Sequence, residues 1–203
     1  MMKVAASHIG KKYHPKWIFK DVGLMIDHHT PLAITGKNGS GKSTLLQIIS
    51  GYVTPTTGQI NWYVNQKEVP PDKLYLRLSM ASPYIDPIEE FTLPEIIHFQ
   101  QAFKPFLPGL AEKQILELSG LKDNASKPIR QFSSGMKQRV KLLLAITSDT
   151  DLLLLDEPCS NLDSDGIRWY QQMLHQFATN RSTVVASNNK PEEYPGFKNF
   201  IAL

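Results

Sequence analysis

GKNGSGKST (Gly36–Thr44) is a glycine-rich stretch that separates two apolar runs of the sequence. The run before it, PLAIT (Pro31–Thr35), is short and ends in β-branched residues, which predicts a strand. The run after it, LLQIIS (Leu45–Ser50), carries its apolar residues at helical spacing. The stretch is therefore predicted to join a strand to a helix.

The spacing of glycine, lysine and serine in this stretch is that of a P-loop. The glycines let successive backbone N–H groups point into one concavity, and the start of the helix adds a partial positive charge, so the loop suits an anion. Lys42 is predicted to reach the β- and γ-phosphates of a nucleoside triphosphate, and the Ser43 hydroxyl to bind Mg²⁺. An ordinary glycine-rich turn is the alternative, which the flanking strand and helix disfavour. The predicted nucleotide-binding residues of the loop are Gly36, Lys37, Asn38, Gly39, Ser40, Gly41, Lys42, Ser43 and Thr44.

A second candidate segment, DLLLLDEP (Asp151–Pro158), is an apolar run of strand length that ends in two acids. Buried parallel strands have this composition, and ligands of α/β sheets bind at the carboxyl ends of the strands. Asp156 is predicted to hold Mg²⁺, and Glu157 to orient and deprotonate a water that attacks the γ-phosphate. A strand that simply ends in solvated acids is the alternative, which the P-loop makes less attractive.

Length and composition indicate one globular domain, because the 203 residues are 41% hydrophobic. The formal charge of +3 is too small to indicate nucleic acid or an anionic membrane surface as a partner. Cys159 is the only cysteine, and its acidic neighbours favour a small buried residue over a redox thiol. No run reaches the about 18 apolar residues of a membrane span, and the N-terminus lacks the apolar region of a signal peptide. We therefore expect a soluble protein of the cytoplasm.

The chain divides into three parts by its strand and helix patterns. Residues 1–83 surround the P-loop, and residues 131–203 return to alternating helix and strand, with STVVAS (Ser182–Ser187) as a further buried strand. Residues 84–130 carry helical spacing punctuated by Pro and Gly, which predicts a mostly helical insertion.

The stretch QFSSGMKQRVKLLLAI (Gln131–Ile146), followed by LLLLDEPCSNLD (Leu152–Asp163), resembles the signature helix, Walker B strand and D-loop of ABC-type ATPases. SGYVTPTTGQI (Ser50–Ile60) and TLPEII (Thr92–Ile97) resemble further family segments, so the resemblance covers essentially the whole chain. It implies the α/β fold of a P-loop NTPase core, with a largely parallel sheet, an N-terminal antiparallel β part and a small helical subdomain. The implied boundaries are a single domain over 1–203, a core of about 1–83 and 131–203, and a helical subdomain of about 84–130.

The resemblance also implies roles for residues outside the P-loop. Tyr13 is similar in position to the aromatic residue that stacks on adenine, with a packing aromatic as the alternative. The signature segment, which would bind the γ-phosphate of a nucleotide held by the other protomer, comprises Ser133, Ser134, Gly135 and Met136. A serine N-cap at Ser133 is compatible with that role. The D-loop would run from Ser160 to Asp163.

Three motifs depart from the pattern of the resembling family. The signature motif normally reads LSGGQ, and here Ser134 and Met136 replace a glycine and the glutamine. Asn188 stands where a switch histidine is expected, and Ser82 is the best alignment for the Q-loop glutamine, which would help hold Mg²⁺. Asn188 donates a hydrogen bond but carries no proton near neutral pH. Since one preorganised donor contributes a factor of ~10²–10³ in rate, we expect slow hydrolysis by the chain alone.

The phenylalanines of the insertion have two interpretations. Phe99, Phe103 and Phe106 recur at helical spacing, and we expect them to pack in the core. The resemblance gives the alternative, in which the insertion and the Q-loop form a groove that receives a cytoplasmic helix of a membrane subunit.

The resemblance implies the ATP-binding subunit of an ABC transporter, which uses ATP with Mg²⁺ and works at the cytoplasmic face of a membrane. Its partners would be a transmembrane permease subunit and a second ABC ATPase, in a homodimer or a heterodimer. A soluble ABC ATPase in cofactor assembly or regulation is the main alternative. A small-molecule kinase is a third, which the sequence from signature to D-loop disfavours. The transported substrate and its direction depend on the membrane subunit.

Overall fold

The computed structural model describes all 203 residues, which form nine strands and five α-helices joined by turns and short 3₁₀ segments. The strands are β1 (Met2–Tyr13), β2 (Lys16–Ile26), β3 (Leu32–Thr35), β4 (Thr57–Val64), β5 (Lys67–Val69), β6 (Leu78–Ala81), β7 (Leu152–Asp156), β8 (Ser182–Ser187) and β9 (Asn199–Ala202). The helices are α1 (Lys42–Ile49), α2 (Leu93–Phe103), α3 (Glu112–Leu118), α4 (Ser134–Thr147) and α5 (Ser164–Phe177). None of the helices combines the length and the apolar character that crossing a lipid bilayer requires.

The strands form two sheets of different kinds. The N-terminal sheet has four strands in the order β2-β1-β4-β5, and all its pairings are antiparallel. The second sheet has five strands in the order β6-β7-β8-β3-β9, and all its pairings are parallel. The α/β fold with a parallel sheet and an N-terminal antiparallel part is therefore confirmed. Helices α2 and α3 lie between β6 and α4 in the chain, where a helical insertion was expected.

Three predicted strands of the parallel sheet are confirmed. The run PLAIT contains β3, the run DLLLL contains most of β7, and STVVAS is β8 residue for residue. Every residue of β7 and of β8 is buried, which is consistent with the leucine run of β7 and with the small and β-branched residues of β8.

Strand β7 lies between two hydrophobic clusters, one on each face of the parallel sheet. Leu152 and Leu154 pack with α1 and the antiparallel sheet. Leu153 and Leu155 pack with residues of α2 to α5. This division follows from the alternation of side chains along a strand.

The expectation that Phe99 and Phe103 pack in the core is wrong. Their exposed fractions are 39% and 67%, and of the three phenylalanines only Phe106 is buried. Helix α2 buries a stripe of Leu93, Ile96 and Ile97, and the two exposed rings lie beside that stripe. Phe106 follows the end of the helix and bridges to Ser148, so helical spacing does not describe its position.

Arg181, just before β8, joins that strand to the end of α4. Its guanidinium donates hydrogen bonds to the carbonyl oxygen of Ser148 at 2.8 Å, to Oγ1 of Thr150 at 3.1 Å and to the carbonyl oxygen of Ile146. The side chain is only 6% exposed, and burial lowers the pKa of Arg181 to about 10. The cation therefore satisfies buried carbonyl groups that have no access to water.

Substitution of Arg181 by methionine is expected to lower the free energy of unfolding by about 2–4 kcal/mol, because it leaves buried carbonyl oxygens unpaired. The matched control is Arg168→Met, which removes an exposed arginine that pairs only with Asp165 and should cost about 1 kcal/mol or less. Urea unfolding followed by circular dichroism measures both changes. Equal losses for the two variants would contradict this role for Arg181.

Candidate nucleotide site

The P-loop runs from the end of β3 to the start of α1, as predicted. Gly36 and Gly41 have φ angles of 154° and 106°, a region of backbone space that L side chains rarely adopt. A Cβ atom at Gly41 would collide with the side chain of Ile18, and one at Gly36 would collide with the carbonyl oxygen of Leu203. Both glycines are therefore required by the path of the loop.

Lys42, the first residue of α1, occupies the centre of the loop. Its ammonium group donates hydrogen bonds to the carbonyl oxygens of Gly36 at 2.9 Å and of Lys37 at 3.0 Å, and the residue is only 4% exposed. The hydroxyl of Ser40 is buried without a hydrogen-bond partner. The positive charge of Lys42 among the loop backbone is suited to an oxyanion such as a phosphate.

Asp156, the last residue of β7, carries a buried carboxyl group with no hydrogen bond of normal geometry to either oxygen. Burial raises the pKa of Asp156, and the nearby carboxylate of Glu157 adds to this shift. The hydroxyls of Ser43 and Ser82 and the charge of Lys42 face the carboxyl group and oppose the shift. An unpaired buried carboxylate among hydroxyl groups is a suitable ligand set for a small divalent cation.

Oxygen donors of this kind fit Mg²⁺, which uses one or two carboxylates together with phosphate oxygens and water. No group of three or more His, Cys, Asp or Glu side chains is arranged to hold a metal ion anywhere in the chain. A cation at Asp156 would therefore need hydroxyl groups and the phosphates of a bound nucleotide to complete its coordination.

Glu157 follows Asp156 in a strained backbone conformation. Its φ angle is 45°, in the left-handed region that non-glycine residues seldom adopt. Its N–H donates a hydrogen bond to the carbonyl oxygen of Ala186 in β8 at 2.9 Å, which fixes the turn against the neighbouring strand. Strain of this kind is concentrated at functional sites, where the surrounding structure maintains it.

These groups share a cavity of about 450 Å³, a size typical of small-ligand sites. Predicted residues in its lining are Asn38, Gly39, Gly41, Lys42, Ser43, Thr44, Asp156 and Glu157. Sequence reasoning missed Ile18, Pro83 and Tyr84, which also line it. Pro83 and Tyr84 follow Ser82 directly, and that adjacency is a signal that could have found them. No sequence signal indicated Ile18, because only the packing of β2 on the P-loop brings its side chain to the cavity.

Six predicted residues of this site lie outside this lining: Gly36, Lys37 and Ser40 of the P-loop, together with Tyr13, Ser82 and Asn188. Tyr13 lies at the end of β1, 50% exposed, with the ammonium group of Lys11 5.0 Å from its ring centre. Ser82 is buried behind the cavity with its hydroxyl towards Asp156. Asn188 follows the last residue of β8 and is half-buried.

The signature residues form a separate cavity of about 360 Å³ that shares no residue with the first one. Ser133 is the N-cap of α4, and its hydroxyl oxygen accepts a hydrogen bond from the N–H of Met136 at 3.2 Å. Gly135 packs so closely on the D-loop that a Cβ atom would lie 2.8 Å from the carbonyl oxygen of Asn161. The other predicted residues that line it are Ser134, which is exposed, Met136 and Asp163, whereas Ser160 lies outside the lining.

Asp163 accepts a hydrogen bond from the N–H of Gly166 at 2.7 Å and is the N-cap of α5. Ser133 is likewise engaged as a cap, but its own O–H remains free to donate. Both residues therefore have a structural role that leaves part of their hydrogen-bonding capacity facing the second cavity.

The largest cavity, about 550 Å³, lies beside α5 and contains none of the predicted site residues. Its two arginines are already engaged, Arg168 with Asp165 and Arg181 with backbone carbonyl groups. The smaller cavity at the P-loop is the better candidate because it places the unpaired buried carboxyl group of Asp156 beside the ammonium group of Lys42. The largest cavity has only Nε of Arg181 as a buried polar atom without a partner.

Cys159 is buried, as predicted. Burial and the nearby carboxylates of Glu193 and Glu192 raise the pKa of its thiol to about 12. The thiol is therefore neutral at physiological pH, and a redox role is not favoured.

Substitution of Asp156 by asparagine is expected to stabilise the nucleotide-free protein by about 1–3 kcal/mol, because it removes an unpaired buried charge. The same change should abolish the extra thermal stabilisation that Mg²⁺ adds to that given by ATP. Thermal melting with and without MgATP measures both effects.

The matched control is Asp151→Asn at the other end of β7, where the carboxylate pairs with Arg77 and the N-terminal amine. This control should lose up to about 1 kcal/mol and keep the full response to MgATP. A destabilised Asp156→Asn variant that retains that response would contradict the assignment.

The sequence and the fold of this chain are similar to those of known proteins. A family model described as ABC transporter matches residues 19–160. The lantibiotic transport ATP-binding protein SrtF of Streptococcus pyogenes is 26% identical, over 100% of this chain and 86% of that protein. The cytochrome c biogenesis ATP-binding export protein CcmA of Xylella fastidiosa (strain 9a5c) is 32% identical, over 70% of this chain and 64% of that protein.

Among solved structures, the ATP-binding cassette MJ0796, in a dimeric post-hydrolysis state bound to ADP and Pi, has the same fold. The TM-score is 0.81 at 23% sequence identity, over 98% of this chain and 94% of that chain. The family match covers most of the sequence and includes both the P-loop and the two acids that end β7. The chain therefore belongs to the ABC transporter family.

Proposed function

We propose that this chain binds MgATP at the P-loop and hydrolyses it to drive a conformational change in a membrane transporter. The observation that carries the proposal is the placement of Lys42, Asp156 and Glu157 around one cavity at the end of the parallel sheet. ATP-binding domains of this family are ATPases, and both relatives described above have names of ATP-binding proteins in transport or export.

The roles of the residues follow from their surroundings. Lys42 would exchange its two loop carbonyls for phosphate oxygens, and the loop N–H groups would hold the rest of the polyphosphate. Ser43 and Asp156 would hold Mg²⁺, with Ser82 as a further hydroxyl behind them. The metal would neutralise charge on the phosphates when bound. Glu157 would orient the attacking water and accept its proton.

We propose that the second cavity completes the site of another protomer. Ser133 and Gly135 stand at the start of α4, where a free hydroxyl donor and the helix N-terminus suit a γ-phosphate. Since this cavity shares no residue with the P-loop cavity, one chain alone offers two separate halves. The partner would be a second copy or another ABC ATPase. Tyr13 would stack on the adenine, at the edge of the site.

We propose that hydrolysis by the isolated chain is slow because Asn188 and Ser82 replace a histidine and a glutamine. The isolated protein should turn over ATP well below the ~10 s⁻¹ typical of enzymes. Asn188→His restores a group that can carry a proton beside the γ-phosphate, and it should raise the rate about 10-fold or more. Phosphate release measured in solution gives both rates.

Lys42→Ala serves as the blank, and Asn189→His is the positional control because it adds the same side chain at the next residue. Only the change at residue 188 should accelerate hydrolysis. A wild-type rate equal to the blank would reject the ATPase proposal. A wild-type rate of ~10 s⁻¹ or more would reject the claim of slow turnover.

An exposed apolar surface beside the helical insertion suggests where the transporter docks. The exposed side chains of Ile85, Ile88 and Phe99 line a groove of about 250 Å³, and the exposed ring of Phe103 lies beside Phe99. The rings of Phe99 and Phe103 are 4.8 Å apart, so they form one aromatic patch. We propose that this groove receives a cytoplasmic helix of the permease, and that residues 84–130 act as the subdomain that presents it.

The double variant Phe99→Ala/Phe103→Ala should lose its permease, because truncating both rings removes the aromatic anchor of the groove. Copurification of the tagged protein from its native membranes in mild detergent measures this loss. Basal ATP hydrolysis should change less than twofold, since neither ring lies near the P-loop cavity.

Phe200→Ala is the matched control, because Phe200 is 52% exposed on β9, outside the groove. This control should retain its membrane partner. Undiminished recovery of a multi-span protein with the double variant would reject the groove as the docking site.

A further inference from the structure

Glu193 is a buried acid that the proposed mechanism does not use. It ends a 3₁₀ turn, Pro191–Glu193, five residues after Asn188, and it has no exposed surface. Its Oε1 atom accepts a hydrogen bond from the backbone N–H of Cys159 at 3.2 Å, whereas Oε2 is buried without a partner. Its carbonyl oxygen accepts a hydrogen bond from the hydroxyl of Tyr170 at 2.6 Å, which anchors the turn to α5.

Cys159 lies two residues after Glu157, in the same turn, so the hydrogen bond from its N–H attaches Glu193 to the turn that carries Glu157. That turn is strained, with Glu157 in the left-handed region, and the N–H of Ser160 closes it by donating to the carbonyl oxygen of Glu157 at 3.0 Å. Gln138 holds it from the side of α4, by donating to the carbonyl oxygen of Pro158 at 2.9 Å. Glu193 holds it from the opposite side, through the segment that follows β8.

Stability alone does not favour an acid at this position. Burial raises the pKa of Glu193, and the Ser187 hydroxyl, the N–H of Cys159 and the charge of Lys190 oppose that shift without cancelling it. Because Oε2 makes no hydrogen bond of normal geometry, the side chain costs free energy relative to a well-packed apolar residue. The hydrogen bond to a single backbone N–H stabilises the fold by less than burial of the carboxyl group destabilises it. What the side chain supplies is a fixed distance between two segments that the sequence separates by about thirty residues.

We propose that Glu193 is a positioning residue for ATP hydrolysis. It ties the turn that carries Glu157 to the segment that carries Asn188, so that the proposed base and the proposed γ-phosphate donor keep a fixed separation. This inference rests on the proposed ATPase function. It predicts that the position of the acceptor atom matters and that its negative charge does not.

Two substitutions separate position from charge. Glu193→Gln removes the charge but keeps a carbonyl oxygen in place, and kcat should stay within about threefold of wild type. Glu193→Asp keeps the charge but withdraws the acceptor by about 1.5 Å, one bond length, and kcat should fall about 10–100-fold. KM for MgATP should stay within about twofold in both variants, because the P-loop is untouched. Glu192→Asp is the matched control, because the backbone carbonyl of Glu192, rather than its side chain, accepts from Gln171.

A second readout does not require turnover. Amide hydrogen exchange at Cys159, followed by mass spectrometry, should be faster in Glu193→Asp than in wild type and unchanged in Glu193→Gln and Glu192→Asp. If Glu193→Asp does not fold, Glu193→Met replaces it, since methionine fills a similar volume without an acceptor.

The outcomes distinguish this inference from the proposed function. A wild-type rate equal to that of Lys42→Ala rejects the ATPase proposal and the positioning role with it. A wild-type rate above that blank, combined with an undiminished kcat in Glu193→Asp, rejects the positioning role only. Equal losses in Glu193→Gln and Glu193→Asp, or a parallel rise in KM, also overturn it. A slow Glu193→Asp variant with normal KM, faster exchange at Cys159 and an active Glu193→Gln variant supports it.

Discussion

The order of three neighbouring parallel strands is the constraint on which the candidate site depends. In the sequence β7-β8-β3, each strand ends at the same edge of the sheet, with Asp156 paired to Ala186 and Thr35 to Ser187. The segments that follow these strands carry the two acids, Asn188 and the P-loop. Parallel strands bring their carboxyl ends together whatever their separation in the chain, so residues from three distant segments meet there.

Electrostatic imbalance characterises the edge that these strands form. The carboxyl group of Asp156 and the hydroxyl of Ser40 are buried without partners, and Lys42 donates only to the carbonyl oxygens of its own loop. In a medium of low polarity an unpaired carboxyl group is unfavourable, and the proposed phosphate with its cation would pair with Lys42 and Asp156 at once.

Much of this arrangement was predictable from the sequence, because the decisive signals are local. Strand β7 begins with four leucines, β8 has the small and β-branched residues typical of a buried strand, and the glycine and lysine spacing of the P-loop follows from the backbone geometry of anion binding. The failures concern contacts between distant segments. Nothing near Ile18 indicates that it covers the P-loop, and helical spacing alone could not show that Phe99 and Phe103 lie beside the buried stripe of α2.

Glu193 illustrates the same limit, since the sequence shows only an acid after a strand, and its burial against Cys159 is a tertiary fact. The segment from Glu157 to Asp163 links the two cavities: its first residue lines the P-loop cavity and its last three line the signature cavity. The segment is short and is held by hydrogen bonds to Gln138 and Glu193. A displacement of one end should therefore also displace the other end. Contact of a second protomer with the D-loop would therefore bear directly on the position of Glu157.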